Sequence, residues 1–207
     1  MEDGVKEYGM EIRDGILILS VIGEIEGHDE VAKGGKTTKY EHLLPILAGA
    51  ENNPDIKGIL FLVNTVGGDV SAGLALAEMI NSMETKTVSL VLGDSHSIGV
   101  PIAVSTDYSF IVPSATMVIH PVRMNGTILG ASQTYRQFQS TQDRIVGFIA
   151  RNCRCTKERL EEMMMNTTMM AKDLGTVIVG EEAVKEGLIN EVGGISKAYE
   201  KLKSFFV

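Results

Sequence analysis

Short apolar runs rich in β-branched residues alternate along this chain with longer stretches of helical character. Gly15–Ile25 (GILILSVIGEI) reads as a strand, and Gly58–Val63 (GILFLV) as a strand buried on both faces, since it is apolar without interruption. Thr87–Gly93, Tyr108–Val112, Thr116–Val122 and Thr176–Gly180 are further strand candidates. Between them lie helical patterns at Tyr40–Asn53, with a kink expected at Pro45, and at Ser71–Met83, Ile98–Thr106, Thr156–Met165, Glu181–Gly187 and Ile195–Phe206. The longest is the amphipathic stretch Ala131–Asn152, which could project from the core or meet another subunit. Gly27–Lys39 is polar and glycine-bearing and predicts a loop, and Asn64–Val70 (NTVGGDV) predicts a turn.

Strand, helix, strand in succession argues for an α/β fold with parallel βαβ units and right-handed crossovers. No Pro/Ser-rich linker interrupts the order, so residues 1–207 are expected to form one domain, with 1–14 as a flexible lead-in. The net charge of −8 argues against a duplex-binding surface, because phosphates call for many cations. No run is long enough to span a bilayer, and the mixed-charge N-terminus lacks the apolar core of a signal peptide, so a cytoplasmic location is expected. Cys153 and Cys155 are too close in sequence for an easy disulfide and have no metal-ligating neighbours, so both are expected as free thiols.

Three stretches carry candidate chemistry. Gly34–Thr38 (GGKTT) is a decoy: a phosphate loop would need glycine where Glu30 stands. Gly67 and Gly68 lie between a strand and a helix, where their amides either face an anion or simply make a tight turn capped by Asp69 or Ser71. Ser97 stands in SHSIG at a strand-to-helix junction, a partial match to G-x-S-x-G with Ser95 in place of the first glycine. It is either a helix cap, the plainer reading when taken alone, or a nucleophile beside amides that favour an oxyanion. His120 precedes Pro121 at an apolar strand and is either a core residue or the base that such a serine needs. His96 adjoins Ser97 but is expected to point away, and His28 and His42 have no catalytic context. The methionine-rich stretch Glu161–Asp173 predicts core packing or an adaptable apolar surface.

Taken together, NTVGGDVSAG, SHSIGVPIAVS, ATMVIHPV and GEEAVKEGLIN resemble, in order and spacing, the ClpP-type serine peptidases over Gly15–Gly194. IGEIEGH, KTTKYEH and VIHPVR resemble the bacterial translocation-enhancing protein (TepA) branch in particular. The resemblance implies a ClpP/crotonase-like spiral of repeated ββα units in a single domain with a long protruding helix. It implies Ser97 as nucleophile, His120 as base, backbone amides of Gly68 and Ile98 as oxyanion donors, and Gly67 and Val70 beside a peptide added as an extended strand. Counted back without gaps, the acid position falls on Gly175; Asp173, two residues earlier, is the candidate acid, and Lys172 a weaker participant. The implied partners are a short or unfolded polypeptide substrate, copies of the chain in a homo-oligomeric ring, and an ATPase unfoldase, with no metal or organic cofactor. Two other readings stay open: a catalytically weak scaffold acting through assembly, which the displaced acid motivates, and a crotonase-like acyl-CoA enzyme.

Overall fold

A computed structural model describes residues 9–28, 35–123, 130–167 and 175–206. Among these residues nine strands belong to one sheet: β1 (Met10–Arg13), β2 (Ile16–Glu26), β3 (Thr37–Lys39), β4 (Gly58–Gly68), β5 (Lys86–His96), β6 (Tyr108–Ile111), β7 (Thr116–Ile119), β8 (Thr176–Val179) and β9 (Glu191–Val192). The main path runs β1-β2-β4-β5-β6-β9, and every pair is parallel except β1–β2 and β7–β8. The helices are α1 (Tyr40–Glu51, with Pro45 inside it), α2 (Val70–Ser82), α3 (Gly99–Val104), α4 (Ala131–Asn152), α5 (Lys157–Met164), α6 (Glu181–Lys185) and α7 (Ile195–Lys203).

The sheet is covered on both faces. One face packs Leu19, Phe61, Val63 and Val91 against helices α1 to α5; the other packs Ile16, Leu60, Val88, Leu90 and Phe110 against Ala198 and Leu202 of α7. That double cover is why the GILFLV run has no polar alternation: Ile59, Leu60 and Phe61 are all fully buried. α4 shows the opposite pattern, polar over its first half and buried at Ile145, Val146, Phe148 and Ile149, so it docks by its C-terminal half.

β5 is longer than β6 and β7 and is paired with both along one edge. Its first half, Val88–Val91, pairs with β6, and its last residues, Asp94–His96, pair with β7. Ser97 comes directly after this second pairing, and its N–H donates to the Val118 carbonyl (2.9 Å), which ties the junction to β7.

Four local expectations change. Asn64–Gly68 continues β4 instead of turning, because Gly67 and Gly68 pair with Glu24 and Ile25 of β2. The turn-like composition yields to tertiary pairing. Gly93–His96 likewise extends β5. Thr37 and Thr38, expected in a loop, form β3 against β2, with the Thr38 hydroxyl accepting from the Ile22 N–H at 2.8 Å; Glu30 and Gly34 lie outside the described residues. Val70, in the turn expected from composition and matched by the resemblance to a peptide-binding strand, instead opens α2 after Asp69, whose carboxylate caps the helix by accepting from the Ala72 N–H (2.8 Å). Cys153 and Cys155 are free, and burial raises both thiols, Cys155 to about 11, which keeps them protonated and unreactive at neutral pH. Among the described residues, no helix is long and apolar enough to cross a membrane.

Candidate active site

Ser97 adopts φ +55, one of two non-glycine residues at positive φ among the described residues. An L-residue with a Cβ is strained there, by about 1–2 kcal/mol, and such strain persists only where the surroundings hold it. The N-cap of α3 is Ile98, and among the described residues no side chain makes a capping bond there. The Ser97 hydroxyl is therefore not the cap that its position suggests; only its carbonyl serves the helix, accepting from the Val100 N–H at 3.1 Å.

Gly67 makes this elbow sterically allowed. A Cβ on Gly67 would sit 2.7 Å from the Ser97 Cβ and 2.8 Å from the His96 carbonyl oxygen, and its φ is +91. The end of β4 thus lies directly behind the nucleophile candidate, and only glycine lets it come so close. Gly67 is buried and supports Ser97 from behind, while the neighbouring Gly68 faces the site. We expect Gly67→Ala to destabilise the fold by about 2 kcal/mol or more. Thermal denaturation reads that loss, and loss of Ser97 reactivity should accompany it. Full stability and reactivity would show that the contact is slack.

Ser97, Ile98, Gly68 and His120 lie around one cavity of about 150 Å3. Most of its wall is apolar: Val70 from α2, Val100 from α3, Ile119 from β7, Ile145 and Ile149 from α4, and Met164 from α5, with Arg123 at its edge. That volume holds one mid-sized apolar group, on the scale of benzene. The site combines a hydroxyl, an imidazole and backbone at a strand-to-helix turn, with an apolar socket alongside. Those are the parts that acyl transfer to a serine requires.

His120 is half-buried and lies one residue past the end of β7. Its Nδ1 is 2.6 Å from the Pro121 carbonyl oxygen. A carbonyl only accepts, so Nδ1 carries the proton in that contact and the neutral ring keeps Nε2 as its acceptor. This is the tautomer a general base needs if Nε2 is to take a hydroxyl proton.

His96 is turned elsewhere. Its Nε2 meets Thr116 Oγ1 at 2.7 Å, and the Thr116 hydroxyl donates to Asp94 (2.9 Å), so the ring clamps β5 to β7. Burial lowers the His96 pKa, partly offset by the Asp94 charge. His28 packs edge-on to Tyr40, and neither His28 nor His42 lines the cavity. Ser95 is fully buried, and among the described residues its hydroxyl has no hydrogen-bond partner.

Asp173 and Lys172 lie outside the described residues. Gly175, at the gap-free acid position, is described: its φ is +135 and its N–H donates to the Asn166 carbonyl at 2.8 Å. The methionine run divides. Met163 and Met164 are buried, Met164 as part of the cavity wall, and Met165 is exposed. Ile145, Ile149 and Arg123 are site residues that sequence reasoning did not single out. The isoleucines were visible only as an apolar stripe on a polar helix.

Most of the chain is matched by known proteins. The family model described as Clp protease matches residues 29–196. The translocation-enhancing protein TepA of Halalkalibacterium halodurans is 50% identical over 187 residues, covering 90% of this chain and 73% of that protein. The ATP-dependent Clp protease proteolytic subunit of Lactococcus lactis is 32% identical over 163 residues, 78% of this chain and 70% of its own length. That of Streptococcus pyogenes serotype M5 is 30% identical over 192 residues, 89% of this chain and 87% of the relative.

Proposed function

The chain belongs to the Clp protease family, and on that footing we propose that it is a serine endopeptidase cutting short or unfolded polypeptides. One observation carries the reading: Ser97 is held at positive φ with its hydroxyl left out of helix capping, on the same small cavity as His120, Gly68 and Ile98. The Ser97 hydroxyl attacks the scissile carbonyl while His120 Nε2 takes its proton and later returns it to the leaving amine. Backbone N–H groups of Gly68 and Ile98 hold the oxyanion, where losing one donor typically costs about 100- to 1000-fold in rate. The apolar socket takes the substrate side chain next to the cut bond. Asp173 is the acid that orients His120 in this scheme. Assembly as a homo-oligomeric ring, and delivery of substrate by an ATPase unfoldase, follow from the family relation as parts of the same proposal, as does residence in the cytoplasm.

A second reading, a scaffold of the same fold with little proteolysis, is favoured by glycine standing at position 175, where the gap-free register asks for a carboxylate. A fluorophosphonate probe separates the two. The peptidase reading expects covalent labelling at Ser97, mapped by mass spectrometry, that falls sharply in His120→Ala. A folded, assembled protein whose Ser97 never reacts would leave the scaffold as the better description.

A further inference from the structure

A second cavity adjoins the first. It is about 530 Å3 and shares Val70, Val122 and Arg123 with the catalytic cavity. Its far wall is a stripe of α4: Gln133, Thr134, Gln137, Phe138 and Thr141. Those spacings place amide and hydroxyl groups on one helix face over two turns, with Phe138 among them. A wall of this kind, uncharged and mixing amides and hydroxyls with an aromatic ring, suits an extended peptide, whose backbone supplies matching donors and acceptors.

Arg123 stands where the two cavities meet and is the one fixed charge among the described residues lining either. It is exposed, three residues beyond His120. A guanidinium carries five N–H donors in a planar fork that fits a carboxylate, and it can serve a second partner while engaged with a first.

We propose that Arg123 makes the site selective for peptides carrying a carboxylate a short distance from an apolar anchor residue. The inference rests on the peptidase reading for the location of the anchor. The apolar side chain fills the socket beside Ser97, the neighbouring chain lies along the α4 stripe, and an Asp or Glu side chain, or a C-terminal carboxylate, meets Arg123 at the junction. Because Arg123 is exposed, the preference is modest, about two- to fivefold, and weakens as salt screens the pair.

The test uses binding, which does not depend on turnover. Fluorescein-labelled octapeptides with one leucine anchor carry Glu, Gln or Lys at each flanking position in turn, each made as free acid and as amide. Their affinity for the full-length Ser97→Ala protein is read by anisotropy at low and high salt. The expected result is a flanking position where Glu binds about two- to fivefold tighter than Gln and Lys binds weaker than both. Arg123→Gln brings Glu and Gln together, and Arg123→Glu inverts the order. If the free acids are preferred over the amides whatever the flanking residue, the carboxylate selected is the C-terminal one; if the Glu peptides are preferred in both forms, it is the side chain. Equal binding of all peptides, binding of none, or a preference that survives Arg123→Glu overturns the proposal. Failure of the peptidase reading leaves a different trace: Ser97 of the unmodified protein stays unlabelled by fluorophosphonate while the Glu preference stands.

Discussion

Ser97→Gly should abolish peptidase activity and make the protein more stable. The activity loss follows from removing the nucleophile, and members of a serine triad act as a unit. Ser97→Gly and His120→Ala should each lower kcat by about six orders of magnitude, and the double variant should be no worse than either. The stability gain follows from the backbone. Ser97 sits at φ +55 and its side chain caps no helix among the described residues, so a residue without Cβ relaxes the strain at no cost in capping bonds. About 1 kcal/mol is expected, which for a chain of this size raises Tm by about 2–4 °C. Turnover of a fluorogenic peptide and a thermal melt, run on the same preparations, check both halves. A serine placed for structure would give the reverse: Ser97→Gly would cost stability and leave whatever activity exists. Opposite movement of activity and stability is the mark of strain kept for chemistry.

Periodicity reached much of the fold because the strongest signals were local. The continuous run at Gly58–Val63 is a strand buried on both faces, and the amphipathic stretch Ala131–Asn152 is a helix with those bounds. The strands that went unread lack a local signal. β1 is largely exposed, with only Met10 partly covered, and β9 has two residues. Both exist because a neighbouring strand offers an edge. Asn64–Gly68 was misread for the converse reason: two glycines and two polar residues compose a turn, yet β2 pairs with them. The site was legible in its polar members and not in its conformation. Ser97 reads as a helix cap from sequence, since φ and the identity of the true N-cap, Ile98, are set by Gly67 pressing from β4 and by the Val118 carbonyl on β7. The socket was illegible for another reason. Its walls come from five separate elements, and an apolar residue such as Ile149 or Met164 carries no mark of which cavity it will line.

Asp173→Asn should lower kcat/KM by about four orders of magnitude with little change in Tm, if Asp173 reaches His120. Two jobs belong to the acid of a serine triad: holding the imidazole in the right tautomer and stabilising the imidazolium that forms as the serine attacks. In this protein the first job already has a second holder. The Pro121 carbonyl, 2.6 Å from His120 Nδ1, accepts the proton that must stay there. A carbonyl is neutral, so it offers the imidazolium a dipole where a carboxylate offers a full charge. The size of the loss therefore apportions the two jobs. A fall near the full four orders means Asp173 supplies both tautomer and charge in the reacting enzyme and displaces the carbonyl contact. A fall of about a hundredfold means the carbonyl keeps the tautomer and Asp173 contributes charge alone. A change under tenfold removes Asp173 from the triad and leaves His120 working against a backbone oxygen, a weaker base that would match the glycine found at position 175. Steady-state kinetics on one peptide, with Ser97 labelling rates alongside, distinguishes the three outcomes, because an acid that orients His120 must slow labelling as well as turnover.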